Sequence, residues 1–163
     1  MRRAFQNPRK QSGIALVEFA IVGAFAIMMI FTVLEIARAV FVVNALTEAT
    51  RRGARMAAVC PINDPAIAQV ATFNAPGAGN TSPLVNQLDT TDFVLEYLDR
   101  GGAVIGDPGG NFNLIRYVQV RVVNFEHELL IPFAQATFTM PEFTTTLPRE
   151  SLGVPRDGAI TPC

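Results

Sequence analysis

Between Ile14 and Leu34 the chain carries one charge, Glu18, and from Phe19 to Leu34 it carries none. A helix of about 20 apolar residues matches a hydrocarbon core of roughly 30 Å. The run IALVEFAIVGAFAIMMIFTVL therefore predicts a membrane-spanning helix over 14–34. A carboxylate inside such a run is expensive, which makes Glu18 a candidate functional residue. Helical character continues past Leu34. No proline occurs between Ile14 and Val59, and Gly23 and Gly53 are the only glycines there. A single helix of about 46 residues would be about 70 Å long. Its second half, over 35–60, is predicted to be amphipathic. Ile36, Val43, Leu46, Ala54 and Ala57 fall on one face, and Asn44, Glu48, Arg52 and Arg55 on the other. Glu48 and Arg52 form an i,i+4 pair in the favoured order. Arg51, Arg52 and Arg55 suit the negative end of the dipole, and Cys60-Pro61 supplies the stop.

The charges are segregated along the chain. Arg2, Arg3, Arg9 and Lys10 precede the apolar run, whereas every acidic residue lies beyond Gly13. Loop cations stay on the cytoplasmic side, so the chain after Leu34 is expected to be exported to the periplasm. The acidic remainder argues against nucleic acid as a partner. Three readings of the N-terminus fit this pattern. A secretory signal peptide has a basic start and a small-residue site, here Ala37-Arg38-Ala39, but its apolar run is shorter and lacks an acid. A plain single-pass anchor is the second. The third is a prepilin-type leader, cut on the cytoplasmic side after a glycine so that the helix stays attached. Cleavage between Gly13 and Ile14 would make Glu18 the fifth residue of the mature chain.

The segment GIALVEFAIV, followed by LEIARAVFVVNALTEATRRGAR, resembles the TadE family of pseudopilins from the tight-adherence (Flp) pilus system. The resemblance covers roughly Ser12–Ala58 and rests on a glycine, four apolar residues, Glu18 and an aromatic. Phe19 stands where that pattern commonly has tyrosine. The resemblance implies residues 1–13 as leader and a prepilin peptidase as a partner. It implies a minor pilin-like subunit that meets other pilins and an inner-membrane assembly platform and that joins or primes an extracellular fibre, while the apolar run itself implies the lipid bilayer as a partner. The alternative is a binding or adhesion domain that is anchored or secreted. The expected fold class is α+β and pilin-like, with the long helix packed on a small antiparallel sheet. Within the apolar helix, Ala20 and Ala24 make a small-xxx-small step beside Gly23, a pattern that favours close lateral packing in lipid.

Residues 61–163 are long enough for one small domain. Ala66–Phe73 is predicted as a short helix capped by Asp64, with Pro65 at its first position. Asn74–Pro83 and Arg100–Gly110 carry loop and turn chemistry. Asp92–Leu98 and Leu114–Phe125 are predicted strands. In the second, Val118, Val120 and Val122 alternate with Tyr117, Gln119, Arg121 and Val123. Leu129–Thr139 fits a short helix or a strand, with Pro132 against either. Phe143–Leu147, between Pro141 and Pro148, is predicted as an edge strand. The tail from Ser151 is expected to be irregular.

The chain has two cysteines, Cys60 and Cys163. In an oxidising periplasm the pair can bridge within the chain, although a terminal thiol can also pair between subunits. Enzyme signals are poor, so the expectation is a non-enzyme without cofactor or metal. His127 is the only histidine, so His-Glu-Leu-Leu-Ile lacks the second ligand of a zinc protease motif. We expect it in a solvated loop at a strand end. Gly77-Ala-Gly79 lacks the third glycine of a dinucleotide fingerprint. Asp107, Asn111 and Asn113 do not match EF-hand spacing and are expected to form a plain turn. Phe138 and Phe143 are expected in the core.

Overall fold

A computed structural model of the chain describes residues 12–130, 136–154, 158, 160 and 162–163. The basic leader residues Arg2, Arg3, Arg9 and Lys10, together with Pro132, lie outside the described residues. The predicted single helix is present as α1, Ser12–Val59, 48 residues and about 72 Å long. Its two halves live in different surroundings. Every residue from Gly13 to Leu34 is exposed except the half-buried Gly23. From Glu35 onward a stripe turns inward at Glu35, Val42, Leu46, Ala49, Gly53 and Ala57, flanked by Thr50, Ala54 and Ala58. Those steps of three, four and seven place one face of the helix against the domain.

This face is rotated from the predicted one. Leu46, Ala54 and Ala57 are buried as expected, but Ile36 is 60% exposed and Val43 37% exposed. Size decides the rotation. A β-carbon on Gly53 would meet Ala71 Cβ and Val120 Cγ1, each at 3.1 Å. The stripe of Ala49, Gly53 and Ala57 is therefore where other elements approach α1 most closely. Ile36 and Val43 stand one position round the helix from Glu35 and Val42, and so turn away. The basic residues also serve another end than the dipole. None lies in the last turn of α1. Arg52 instead donates to Glu48 Oε1 at 3.2 Å and stacks its guanidinium 5.0 Å from the Phe73 ring centre.

Helix α2, Pro65–Ala71, starts as predicted, with the Asp64 side chain accepting from the Ala66 N–H at 2.9 Å. The turn joining α1 to α2 has Asn63 at φ 58°, and its N–H donates to the Tyr97 hydroxyl at 3.0 Å. Burial pushes that phenol above its usual range, which keeps it neutral. A three-stranded antiparallel sheet has the order β1, β2, β5, with β1 Phe93–Leu98, β2 Tyr117–Val122 and β5 Phe143–Pro148. Val118, Val120 and Val122 are buried, as their alternation predicted. The predicted strand over 114–125 is trimmed because Phe112–Leu114 closes as a 3₁₀ turn. The edge position of β5 is as expected, and its Thr145 hydroxyl meets that of Thr50 at 2.9 Å. The ambiguous Leu129–Thr139 segment supplies β4, Thr137–Thr139, which pairs antiparallel with β3, Glu126–Glu128.

The core is two adjoining clusters along α1. One gathers Ala54, Ala57, Ile67, Tyr97, Val118 and Val120, and the other Val42, Leu46, Leu88, Val122, Phe125 and Met140. Among the described tail residues there is no helix or strand, yet the tail's start is tightly held. Orphan carbonyls at the end of α1 need donors. Glu150 and Leu152 donate N–H groups to Ala58 O at 3.0 and 3.3 Å, and Gly153 donates to Val59 O at 2.6 Å. Gly153 has φ 76°, and a β-carbon there would fall 2.6 Å from Pro61 Cγ. Only glycine satisfies both conditions. Cys60 is fully buried and bridged to Cys163, with Cα atoms 5.7 Å apart and a separation of 103 positions in sequence. The pairing is thus within the chain.

Candidate functional site

The apolar half of α1, Gly13 to Leu34, has no tertiary partner among the described residues. Its best apolar window has a mean hydropathy of 2.5, and none of it is buried in the chain. Its polar hydroxyl is self-satisfied, because Thr32 Oγ1 donates to Met28 O at 2.9 Å. Ile14 and Glu18 lie one turn apart on the same face, about 6 Å along the axis. Together with Gly13, Val17 and Ile21 they line a shallow open concavity. The carboxylate of Glu18 is therefore presented outward with no partner among the described residues. Ala20 and Ala24 are exposed nearby. A β-carbon on Gly23 would meet nothing within 4 Å, in contrast to Gly53. Gly23 consequently has no packing role among the described residues.

A second constellation stands directly past the apolar run. Glu35 is buried under a thin layer of neighbouring groups. It accepts from Arg38 Nη1 at 2.9 and 3.0 Å and from the Leu130 N–H at 3.3 Å, and its Oε1 lies 3.2 Å from His127 Nε2. Burial alone would raise the Glu35 pKa. The Leu130 N–H, the Arg38 charge and the His127 hydrogen bond outweigh it, so the carboxyl is held below its usual range. His127 is not in a solvated loop, as the sequence suggested. It is the middle residue of β3 and is 3% exposed, turned inward by the alternation of a short strand. Phe138, expected in the core, is exposed, and its ring is tilted against His127 at 5.0 Å. Phe143, by contrast, packs against the second core cluster. Arg38 Nη2 also donates to Glu128 O at 3.4 Å.

This joint pins the β3–β4 hairpin to the stem. Glu35→Ala would leave the Leu130 N–H and His127 without their acceptor. The expected cost is about 1–3 kcal/mol, read by chemical denaturation of the micelle-embedded protein. Because the folded pKa is lowered, this contribution is complete above the ordinary glutamate value of about 4.3. It is lost as pH falls through the lower folded value. Unchanged stability of Glu35→Ala at neutral pH would rule the joint out.

Glu35 is the residue that sequence reasoning missed. Its signal was its spacing of seven and eleven residues from Val42 and Leu46, which places a charge on the inward stripe. The structure brings Cys60 and Cys163 together and leaves Gly13, Ile14, Glu18, Ala20, Gly23 and Ala24 on the half of α1 that has no partner among the described residues. Against known families, the model described as TadE-like protein matches residues 13–55. No curated protein matches the chain, and no solved structure does.

Proposed function

Taking the TadE-like character of residues 13–55 as premise, we propose that the protein is a minor pilin-like subunit of a tight-adherence pilus system. In this reading a prepilin peptidase removes the leader after Gly13. The helix stays in the inner membrane with its domain in the periplasm, and assembly with other pilins on a membrane platform follows. No catalytic step belongs to it. The observation that carries the reading is a coincidence of two boundaries. The segment matched by the family model begins at the candidate cleavage glycine, and the same segment opens with the half of α1 that the fold leaves bare. A second point supports retention of the helix. Cutting at Ala37-Arg38-Ala39 would remove Glu35 and strip the buried His127 of its partner.

Sequencing the mature N-terminus tests this. Ile14 is expected as the first residue, and Gly13→Leu should block processing. A start at Val40, or an intact leader, would sink the proposal. The small residues of α1 carry a further expectation. Gly23→Leu meets no obstacle among the described residues, so folding should be unchanged while association with partner pilins weakens. Crosslinking yields at engineered neighbouring positions measure it, and unaltered yields count against this face.

A further inference from the structure

The β3–β4 hairpin descends α1 towards the membrane half. Phe125 shares a cluster with Val42, whereas the Leu130 N–H reaches Glu35. Between those two contacts the hairpin moves seven helix residues, about 10 Å, down the stem. Leu130 therefore lies level with the first residue after Leu34, and its side chain is 63% exposed. At and just above the same level α1 exposes Ile36, Val40 and Phe41. Two charges at this level, Glu35 and Arg38, are already engaged, and Glu128 accepts from Gln87 Nε2 at 3.0 Å. Glu35 is held by Arg38, His127 and Leu130, and Arg38 by Glu35 and the Glu128 carbonyl. Glu126 and Glu128 flank His127 on β3 and are exposed, as the strand's alternation places them away from the stem. Beside the engaged Glu35 and Arg38, Leu130, Ile36, Val40 and Phe41 thus present exposed apolar side chains near one level of the stem.

We propose that this end of the domain is seated in the bilayer, with Leu130, Ile36, Val40 and Phe41 in the headgroup layer of the leaflet that faces the domain. The proposal rests on the reading of 14–34 as a membrane span. Those 21 residues extend about 32 Å and fill the roughly 30 Å hydrocarbon core. Ile36 to Phe41 then occupy the next 3–10 Å or so, the depth at which interfacial apolar groups settle. Continuity selects lipid as the occupant. A helix that spans the bilayer is ringed by lipid at Leu34, so an exposed leucine at that level meets the leaflet first. Seating a rigid domain in this way fixes its tilt over the membrane and so its approach to a neighbouring subunit.

The chain contains no tryptophan, which permits single-tryptophan reporters in the full-length protein. Leu130→Trp, Val40→Trp, Phe25→Trp and Leu114→Trp are reconstituted separately in vesicles of phosphatidylethanolamine and phosphatidylglycerol with brominated acyl chains. Leu114 is exposed beside Ile115, which packs with Ala57 and Ala58 at the far end of the stem. Leu130→Trp and Val40→Trp should show blue-shifted emission and bromolipid quenching several-fold stronger than Leu114→Trp. Phe25→Trp, in mid-span, should be quenched most. Quenching of Phe25→Trp with Leu130→Trp at the level of Leu114→Trp overturns the seat and leaves the span intact. Absence of quenching in Phe25→Trp overturns the span and the seat together. Shielding of Leu130→Trp from aqueous acrylamide without bromolipid quenching would mean that a second copy covers the surface, which also overturns the lipid seat.

Discussion

Glu18→Gln is expected to leave membrane insertion and leader removal intact and to abolish incorporation beside other pilins. The argument is electrostatic. Glu18 is the one charge between Ile14 and Leu34, it is exposed, and nothing among the described residues neutralises it. In the proposed mature chain an α-amino group appears at Ile14, about 6 Å away along the same helix. When two helices stagger by about one turn, the amine of one subunit meets the carboxylate of the next. At roughly 4 Å and an effective dielectric constant of 20, such a pair attracts by about 4 kcal/mol. Removing one partner of a buried pair costs about 3–5 kcal/mol, because the remaining charge is left uncompensated. At 1.4 kcal/mol per factor of ten, that is roughly a hundred- to four-thousand-fold in association. Insertion itself should be eased, since a neutral amide replaces an ion. Pull-downs and piliation read the effect, and wild-type piliation by Glu18→Gln would refute the pairing role.

The second large effect belongs to the bridge between Cys60 and Cys163. Cys163→Ser is expected to cost about 2–5 kcal/mol, a large part of a small domain's stability of about 5–15 kcal/mol. The bridge closes a loop spanning 103 residues, which takes in α2 and both sheets. Cys60 lies in the first core cluster with Ile67, Tyr97 and Leu152, so the reduced protein loses a constraint anchored in the core. Cys60→Ser should give the same protease sensitivity as Cys163→Ser, and the double variant should be no worse. Additive losses would mean that the two thiols act separately. Two free thiols in the oxidised, purified protein by non-reducing mass spectrometry would remove the basis of the prediction altogether.

Much of the helix is legible in the sequence. Forty-six residues without proline, one apolar half and one half with a 3.6-residue pattern allow little else. The cap at Asp64, the alternation in β2 and the edge position of β5 between two prolines were legible for the same reason. Each is a local rule that a few adjacent residues satisfy alone. Glu18 and Gly13 stand out by chemistry alone, and the fold shows only that both are exposed.

The features that sequence reasoning misplaced depend on residues far apart. His127, between two glutamates, has a solvated-loop pattern, and only its pairing across β4 and the Glu35 carboxylate 92 positions away bury it. Ile36 and Val43 fit the apolar face on hydrophobicity, yet close approach at Gly53 turned the helix so that smaller side chains face the sheet. The irregular tail gained its order from carbonyls left open at the end of α1. Sequence alone determined the apolar span, the long helix and the two thiols able to meet, because periodicity, composition and count are properties of the chain itself. Tertiary structure decided which helix face turns inward, which acid is buried and which thiol pairing forms, because close packing and hydrogen-bond satisfaction are settled only between distant segments.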